Sequence, residues 1–177
     1  MRHRAALVVF LVALGACTLP GRGGPTAPTE AGAGTIVRPI DGDTVVVRID
    51  GADEHVRLIG IDTPESVAPD RPVECFGPEA KERMAELLPA GTAVRLERDI
   101  EARDRYDRLL AYVFRADDDV LVNRLLVEEG FAESYPYPPN TARQDELDEA
   151  EAAAKAAGRG LWPVCGGTDV PTGPPPG

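Results

Sequence analysis

The sequence predicts an α+β domain whose strands close into a small barrel, and three observations carry that expectation. Strand-like and helix-like segments follow in the order three strands, a helix, two strands and two more helices. The strand segments are short and alternate apolar with polar residues; five such strands left as an open sheet would expose long unpaired edges, which closure removes. Finally, 43% of the residues are hydrophobic but only 5% aromatic, so one modest core would be aliphatic. A chain of 177 residues suits one such domain with tails.

The N-terminal residues do not read as part of the fold. Met1-Arg2-His3-Arg4 is a positive stretch, and Ala5 to Ala16 is an apolar run too short to cross a bilayer as a helix. Leu14-Gly15-Ala16-Cys17 resembles a lipobox, the cleavage site of bacterial lipoproteins, which implies a lipidated Cys17. An ordinary secretory signal is the alternative, and both export the protein. Residues 1–16 are therefore expected as signal peptide, and residues 17–34, rich in Gly, Pro, Thr and Ala, as a flexible tether. Residues 35–165 make the domain, and 166–177 a disordered Gly/Pro-rich tail.

Within the domain, Thr35 to Ile40 and Thr44 to Ile49 read as strands, with Val45, Val47 and Ile49 on one face. Asp50-Gly51 signals a turn into a third strand, His55 to Ile61. Asp62-Thr63-Pro64-Glu65 leaves that strand as a turn. A helix opens at Gly77-Pro78-Glu79, with Pro in the first turn and Ala80, Met84, Leu87 and Leu88 on one face. Pro89-Ala90-Gly91 ends it. Thr92 to Glu97 and Leu109 to Phe114 are the next strands. Asp117-Asp118-Asp119 lacks the spacing of a calcium loop and reads as turn and N-cap to a helix from about Val120 to Glu129, stopped by Gly130. The last helix starts near Thr141, with Gln144 in capping-box position and Leu147, Ala150 and Ala154 in its stripe.

Formal net charge is −11, and −13 once Arg2 and Arg4 leave with the signal. Taken alone this disfavours a polyanionic partner, so local positive charge must carry any such binding. With Cys17 assigned to lipidation, Cys75 and Cys165 remain, an even pair in an exported chain. A disulfide between them is expected, worth about 4 kcal/mol in the chain-entropy treatment of a loop this long.

The chemistry concentrates in Ile40-Asp41-Gly42-Asp43-Thr44 and Arg57-Leu58-Ile59-Gly60-Ile61-Asp62-Thr63-Pro64-Glu65. Oxygen ligands for a hard cation, a carboxylate able to take a proton and a guanidinium for phosphate are the parts of metal-assisted phosphodiester hydrolysis. Asp104-Arg105-Tyr106-Asp107-Arg108 adds a second guanidinium. Residues five apart on an unbroken strand face opposite sides, so Arg57 and Asp62 converge only if the strand bends, and Gly60 is the place for it.

These motifs, together with Gly77-Pro78-Glu79-Ala80, the run Tyr106 to Tyr112 and the terminal Leu161-Trp162, resemble the staphylococcal nuclease (thermonuclease) family in order and spacing over Thr35 to Trp162. The resemblance implies an OB-fold, a five-stranded β-barrel with three helices, and a calcium-dependent nuclease acting on DNA and RNA that leaves 3′-phosphates. By the same resemblance Asp43, Asp62 and the carbonyl of Thr63 are Ca²⁺ ligands, an all-oxygen set that suits calcium and disfavours zinc. Glu65 corresponds to the residue that activates or orients the attacking water. Arg57 and Arg108 correspond to the guanidiniums that grip the scissile phosphate, a role their forked donors fit. Arg105 and Tyr106 stand where the family touches a terminal phosphate, and Tyr135 and Tyr137 where tyrosines line the nucleotide pocket.

The sequence departs from the pattern at Asp107, where the family often has Gly; its carboxylate either pairs with an arginine or faces solvent. The loop Ser66 to Val73 is also less basic than in the family's better-known members, which with the overall acidity implies weak nucleic-acid affinity. The expectation is an exported monomer, lipid-anchored at Cys17 to the outer face of the bacterial cell membrane or otherwise secreted. It would cut single-stranded nucleic acid most readily. The alternative is a non-catalytic barrel that binds nucleic acid or a protein on the cell envelope.

Overall fold

The computed structural model describes residues 29–66 and 72–172. The signal segment, Cys17 and most of the expected tether lie outside the described residues, as do residues 67–71, including Asp70 and Arg71. The strands are β1 (Thr29–Pro39), β2 (Thr44–Ile49), β3 (Ala52–Leu58), β4 (Ile61–Asp62), β5 (Ala93–Arg98), β6 (Leu109–Arg115) and β7 (Glu133–Ser134). The helices are α1 (Gly77–Leu87), α2 (Val122–Glu128), α3 (Gln144–Ala157) and the single turn α4 (Leu161–Val164).

Five strands close a barrel in the order β1-β2-β3-β6-β5, while β4 and β7 pair beside it. The expected α+β OB-fold barrel is present, with α4 as one short helix more than the three expected. Neighbours in the barrel are antiparallel except β3 and β6, which run parallel with Arg57 opposite Leu110. That one parallel seam sets Arg57 beside the strand that begins directly after Arg108.

Closure explains a longer β1 than the alternation suggested. One strand must pair with both β5 and β2, and β1 uses Thr29 to Thr35 for β5 and Thr35 to Pro39 for β2. Residues 29–34, expected as tether, are therefore strand; their Gly and Ala content hides it, and a register shift falls at Gly32, whose φ is 121°. The other end also differs from expectation. Within the expected tail, Pro171 bridges to Glu74, and the Thr172 amide donates to the Val73 carbonyl at 3.2 Å.

The expected third strand divides. β3 ends at Leu58, and the chain turns through Ile59 and Gly60, whose φ is 77°, before β4. A Cβ at Gly60 would meet Leu147 of α3 at 2.5 Å, so the bend also lets the helix pack close. The caps correct two expectations: α2 is preceded by Leu121 and α3 by Arg143, neither with a side-chain cap bond. Asp118 instead accepts from the Val120 amide and pairs with Arg115, and Gln144 donates to Ser134 and Asp148.

The core is aliphatic, as composition demands. Val45, Val47, Val56, Leu58, Val94, Leu96 and Val113 fill the barrel, and Met84, Leu126 and Leu147 bring in the helices. Asn123, fully buried on α2, accepts from the Val113 amide at 2.9 Å and donates to the Ile59 carbonyl at 2.8 Å. The polar pair ties α2 to the bend. Cys75 and Cys165 form a disulfide with Cα atoms 5.9 Å apart, joining the segment before α1 to the end of α4.

Candidate active site

One cleft beside the barrel gathers side chains from six parts of the chain. Asp41 and Asp43 enter from the β1–β2 turn, and Arg57 from β3. Asp62, Thr63 and Glu65 follow the bend, Glu74 precedes α1, and Arg108 precedes β6. Asp169 enters from the C-terminal segment. The cleft they line has a volume of about 190 Å³ and opens to solvent. All six residues expected as metal or catalytic groups are thus brought together.

Local structure explains the convergence. The Asp41 carboxylate accepts from the Asp43 amide at 3.1 Å, an Asx-type turn that points Asp43 inward. Gly42 lies so close to Thr63 that a Cβ would meet its hydroxyl at 2.7 Å. Asp43 Oδ2 accepts from the Thr63 amide and hydroxyl at 3.3 and 3.2 Å, tying the turn to the segment after the bend. Arg57 then spans the gap. Its Nη1 donates to the carbonyls of Leu58 and Ile61 at 3.0 and 2.9 Å, while Nη2 lies 2.9 Å from both Asp43 Oδ2 and Asp62 Oδ1. The bend at Gly60 makes the Arg57–Asp62 contact, which an unbroken strand forbids.

Burial and crowding load the carboxylates. Burial, then the neighbouring Asp43, pushes Asp41 up to about 7. Burial pushes Asp62 up to about 6 against the opposing Arg57, with Asp43, Asp169 and Glu74 adding to the rise. Among the described residues no three acidic, His or Cys side chains form a ready-made metal cage. The donor chemistry nevertheless fits a hard cation. Asp43 Oδ2 and Asp62 Oδ1 converge on one Arg57 nitrogen at 2.9 Å each, and both are the oxygen donors a hard cation takes. A divalent cation there would also relieve the crowded negative charge that raises Asp41 and Asp62.

Glu65 is positioned through its backbone. Its amide donates to Glu74 Oε2 at 2.7 Å, and its carbonyl accepts from the Glu74 amide at 2.9 Å. Arg108 is aimed by Asp104, a nearly buried carboxylate that accepts from Arg108 Nε at 2.7 Å and from the amides of Tyr106 and Arg108 at 2.9 Å. Burial opposes ionisation of Asp104, but these hydrogen bonds outweigh it and hold its pKa below the usual value. Asp107 takes the left-handed conformation with φ 64° and turns its carboxylate to solvent, 3.7 Å from Arg103 Nε and away from Arg108. That conformation accounts for a glycine at this place elsewhere in the family pattern.

A second, more apolar pocket adjoins the cleft and shares Arg57 and Arg108 with it. Leu58 to Ile61, Asp104, Leu110, Tyr135 and Tyr137 line the rest. The tyrosine loop is held by buried Asn140, which accepts from the Glu101 amide and donates to its carbonyl at 2.7 and 3.0 Å. Arg105 and Tyr106 line neither pocket. They are exposed and stacked, with the Arg105 guanidinium 4.6 Å and that of Arg108 5.5 Å from the Tyr106 ring. His55 is an exposed strand residue away from the cleft.

Reading the sequence missed Glu74, Asp104, Asp41 and Asp169 as parts of this site. Asp41 and Asp104 sit inside motifs already singled out, and an Asp two residues before another hydrogen-bonding position is a turn signal. Glu74 and Asp169 carry no local signal, since each reaches the cleft through contacts distant in sequence. Elsewhere the acidic surface absorbs basic charge: Arg83 pairs with Glu129, Arg95 with Asp119, Arg103 with Glu54 and Arg143 with Glu97.

Comparison with known proteins agrees with the geometry. The family described as staphylococcal nuclease homologue matches residues 55–164. The thermonuclease of Staphylococcus hyicus is 39% identical over 127 residues, covering 72% of this chain and 73% of that protein. The thermonuclease of Staphylococcus intermedius is 41% identical over 127 residues, covering 72% and 74%. Endonuclease YncB of Bacillus subtilis is 39% identical over 134 residues, covering 75% and 62%.

Proposed function

This chain belongs to the staphylococcal nuclease family, whose members use a divalent metal ion, and it hydrolyses phosphodiester bonds of nucleic acid; we propose that it does so as a calcium-dependent endonuclease, with the roles that follow. The observation that carries the reading is the meeting of Asp43, Arg57, Asp62, Thr63, Glu65 and Arg108 in one cleft. A binding module needs phosphate donors, but it has no need of a carboxylate such as Glu65 beside a candidate cation site.

Asp43, Asp62 and the Thr63 carbonyl would hold Ca²⁺, all oxygen donors of the kind a hard cation takes. Bound there, the ion would supply Lewis-acid polarisation of the phosphate and a lowered pKa for water. Glu65 accepts the proton of the attacking water, and its backbone is tied to Glu74 at the edge of the cleft. Arg57 and Arg108 donate to the non-bridging phosphate oxygens. Arg57 Nη1 is held by two carbonyls, and a cation taking Asp43 and Asp62 would free Nη2 for the phosphate. Arg108 is fixed at Nε by Asp104, which leaves its terminal nitrogens for the phosphate.

The adjoining pocket takes the base next to that phosphate, with Tyr135 and Tyr137 as stacking surfaces that do not read sequence. Arg105 and Tyr106, exposed beside Arg108, meet a neighbouring phosphate. Unstacked bases fit such a pocket, which favours single-stranded DNA or RNA, and the products carry a 3′-phosphate. The same proposal makes the protein an exported monomer anchored through a lipid on Cys17 to the outer face of the bacterial cell membrane. The apolar run before Cys17 and the disulfide support export. Retention of a Cys17→Ser variant in the membrane fraction would refute the anchor.

The test of the chemistry is cleavage of single-stranded DNA with Ca²⁺, with Mg²⁺ and with a chelator, followed by end analysis. Calcium-supported cleavage leaving 3′-phosphates is expected. Cleavage that survives the chelator, or that Mg²⁺ supports and Ca²⁺ does not, overturns the calcium reading.

A further inference from the structure

Residues 165–172 lie beyond the family match, which ends at residue 164, and they are tied to the segment that precedes α1. The disulfide joins Cys165 to Cys75. The Cys75 amide donates to the Val170 carbonyl at 2.6 Å, Pro171 bridges to Glu74, and the Thr172 hydroxyl donates to the Val73 carbonyl at 2.8 Å. Residues 73–75 are thus held by one covalent bond and a short run of backbone pairing.

Successive amides of an extended segment point to opposite sides, so the Glu74 amide faces away from that pairing. It donates to the Glu65 carbonyl at 2.9 Å, and the Glu65 amide donates back to Glu74 Oε2 at 2.7 Å. Gly77, two residues after Cys75, packs so closely on Glu65 that a Cβ there would collide with the Glu65 carbonyl. Three layers follow in order: Glu65, then residues 73–75, then residues 170–172. Pairing this short is marginal by itself. The cross-link, which spans a sequence separation of 90, is what keeps the outer layer on the middle one. Both cysteines are half-buried, within reach of a small thiol.

We propose that the Cys75–Cys165 disulfide is a positioning clamp for Glu65 and makes turnover depend on the oxidation state of that pair. Two electrons and two protons from a dithiol break the S–S bond and leave two cysteine thiols, while the dithiol closes to its own disulfide. Residues 165–172 then leave residues 73–75, and the Glu65 backbone loses a fixed support. The barrel stays folded, because its core lies in the strands and in α1 to α3. This rests on the nuclease reading of the cleft, and on Glu65 in particular, and adds a redox requirement to it. In an exported chain that requirement withholds the chemistry in a thiol-rich compartment and releases it where disulfides persist.

The experiment compares the oxidised full chain with the same chain reduced by dithiothreitol and with Cys75→Ala/Cys165→Ala. It measures kcat and KM on single-stranded DNA at saturating Ca²⁺, and backbone order parameters by NMR at Glu65, with Val47 and Val113 of the barrel as reference. Reduction should lower kcat about 30-fold, with KM within about 3-fold, and reoxidation should restore it. The double variant should match the reduced chain and ignore the dithiol. The order parameter of Glu65 should fall from about 0.85 to below about 0.6, while those of Val47 and Val113 hold. In Glu65→Gln, reduction should change kcat by less than about 2-fold, because the clamp acts through Glu65. An undiminished kcat, an equal loss in Glu65→Gln, or a loss that more Ca²⁺ restores would each overturn the proposal; the last would move the effect to the cation ligands. Loss of order at Val47 and Val113 as well would overturn it too, by making the disulfide a support of the whole fold. An oxidised chain that binds DNA without cutting it would instead sink the nuclease reading, and the order parameter of Glu65 would then decide alone whether the clamp exists.

Discussion

Removing the Asp104 carboxylate should disable Arg108 without touching the cleft itself. Asp104 accepts three hydrogen bonds, from Arg108 Nε at 2.7 Å and from the amides of Tyr106 and Arg108 at 2.9 Å, and its side chain is only 4% exposed. In Asp104→Ala two backbone amides and one guanidinium lose their acceptor. Part of the cost is recovered from water, because the Arg108 side chain is 31% exposed. A stability loss of about 2 kcal/mol follows from charge-assisted bonds of this kind. Catalysis should suffer more: a misplacement of about 1 Å costs about 100-fold, so kcat/KM on single-stranded DNA should fall about 30- to 100-fold. Asp104→Asn keeps an oxygen acceptor but loses the charge, and should fall between. Urea unfolding supplies the stability, and a kinetic double-mutant cycle with Arg108→Ala supplies the coupling. If Asp104 acts by positioning Arg108, the double variant is no slower than Arg108→Ala alone. Multiplicative losses, or a stable Asp104→Ala enzyme of normal kcat/KM, would refute the reasoning.

Arg57→Ala, Glu65→Ala and Arg108→Ala should each remain folded by circular dichroism and lose about 100-fold or more of kcat, since each removes a group aimed at the transition state; normal turnover by any one removes its assigned role. Asn123→Leu should lower unfolding free energy by about 2 kcal/mol in urea titration, because the Ile59 carbonyl and the Val113 amide lose buried partners; no loss would mean the bend holds without α2. Burial pushes Glu97 up, yet hydrogen bonds from Arg143 and Arg95 outweigh it and its pKa is lowered. Its contribution to stability is then complete above the unfolded carboxylate value near 4.5 and is lost as pH falls through the lower folded value. Thermal melts between pH 7 and pH 3 should show a smaller acid-induced drop for Glu97→Gln than for wild type, and parallel curves would contradict this.

Much of the barrel was legible because its information is local. Alternation at Val45 and Val47, the helical stripe of Ala80, Met84 and Leu87, and the glycine at position 60 each point to their own neighbours. The bend needed to bring Asp62 back to Arg57 could be placed from strand geometry alone. What stayed hidden depends on contacts far apart in sequence. Residues 29–34 read as tether because Gly and Ala have little strand preference, and only pairing with β5 makes them strand. Residues 166–172 read as tail because their order comes from Val73, Cys75 and Glu133. Glu74 and Asp169 reach the cleft by that same route. The expected cap within Asp117-Asp118-Asp119 failed because Asp118 and Asp119 are drawn to Arg115 and Arg95, a competition that spacing does not reveal.

The acidic body sharpened one expectation. Few basic groups are available to a polyanion when so many arginines pair with carboxylates, which leaves substrate binding to Arg57, Arg105, Arg108 and the tyrosines. Binding should accordingly show a shallow salt slope, set by few phosphate contacts.

The central claim is that Glu65 handles the proton of the attacking water in a cleft charged by a divalent cation. It is tested most directly by single-turnover cleavage of single-stranded DNA by wild type and Glu65→Gln at saturating Ca²⁺. Glu65→Gln keeps size and polarity but cannot accept the proton. The account predicts that it binds DNA as wild type does and cleaves about 100-fold more slowly or worse; cleavage at the wild-type rate would contradict it.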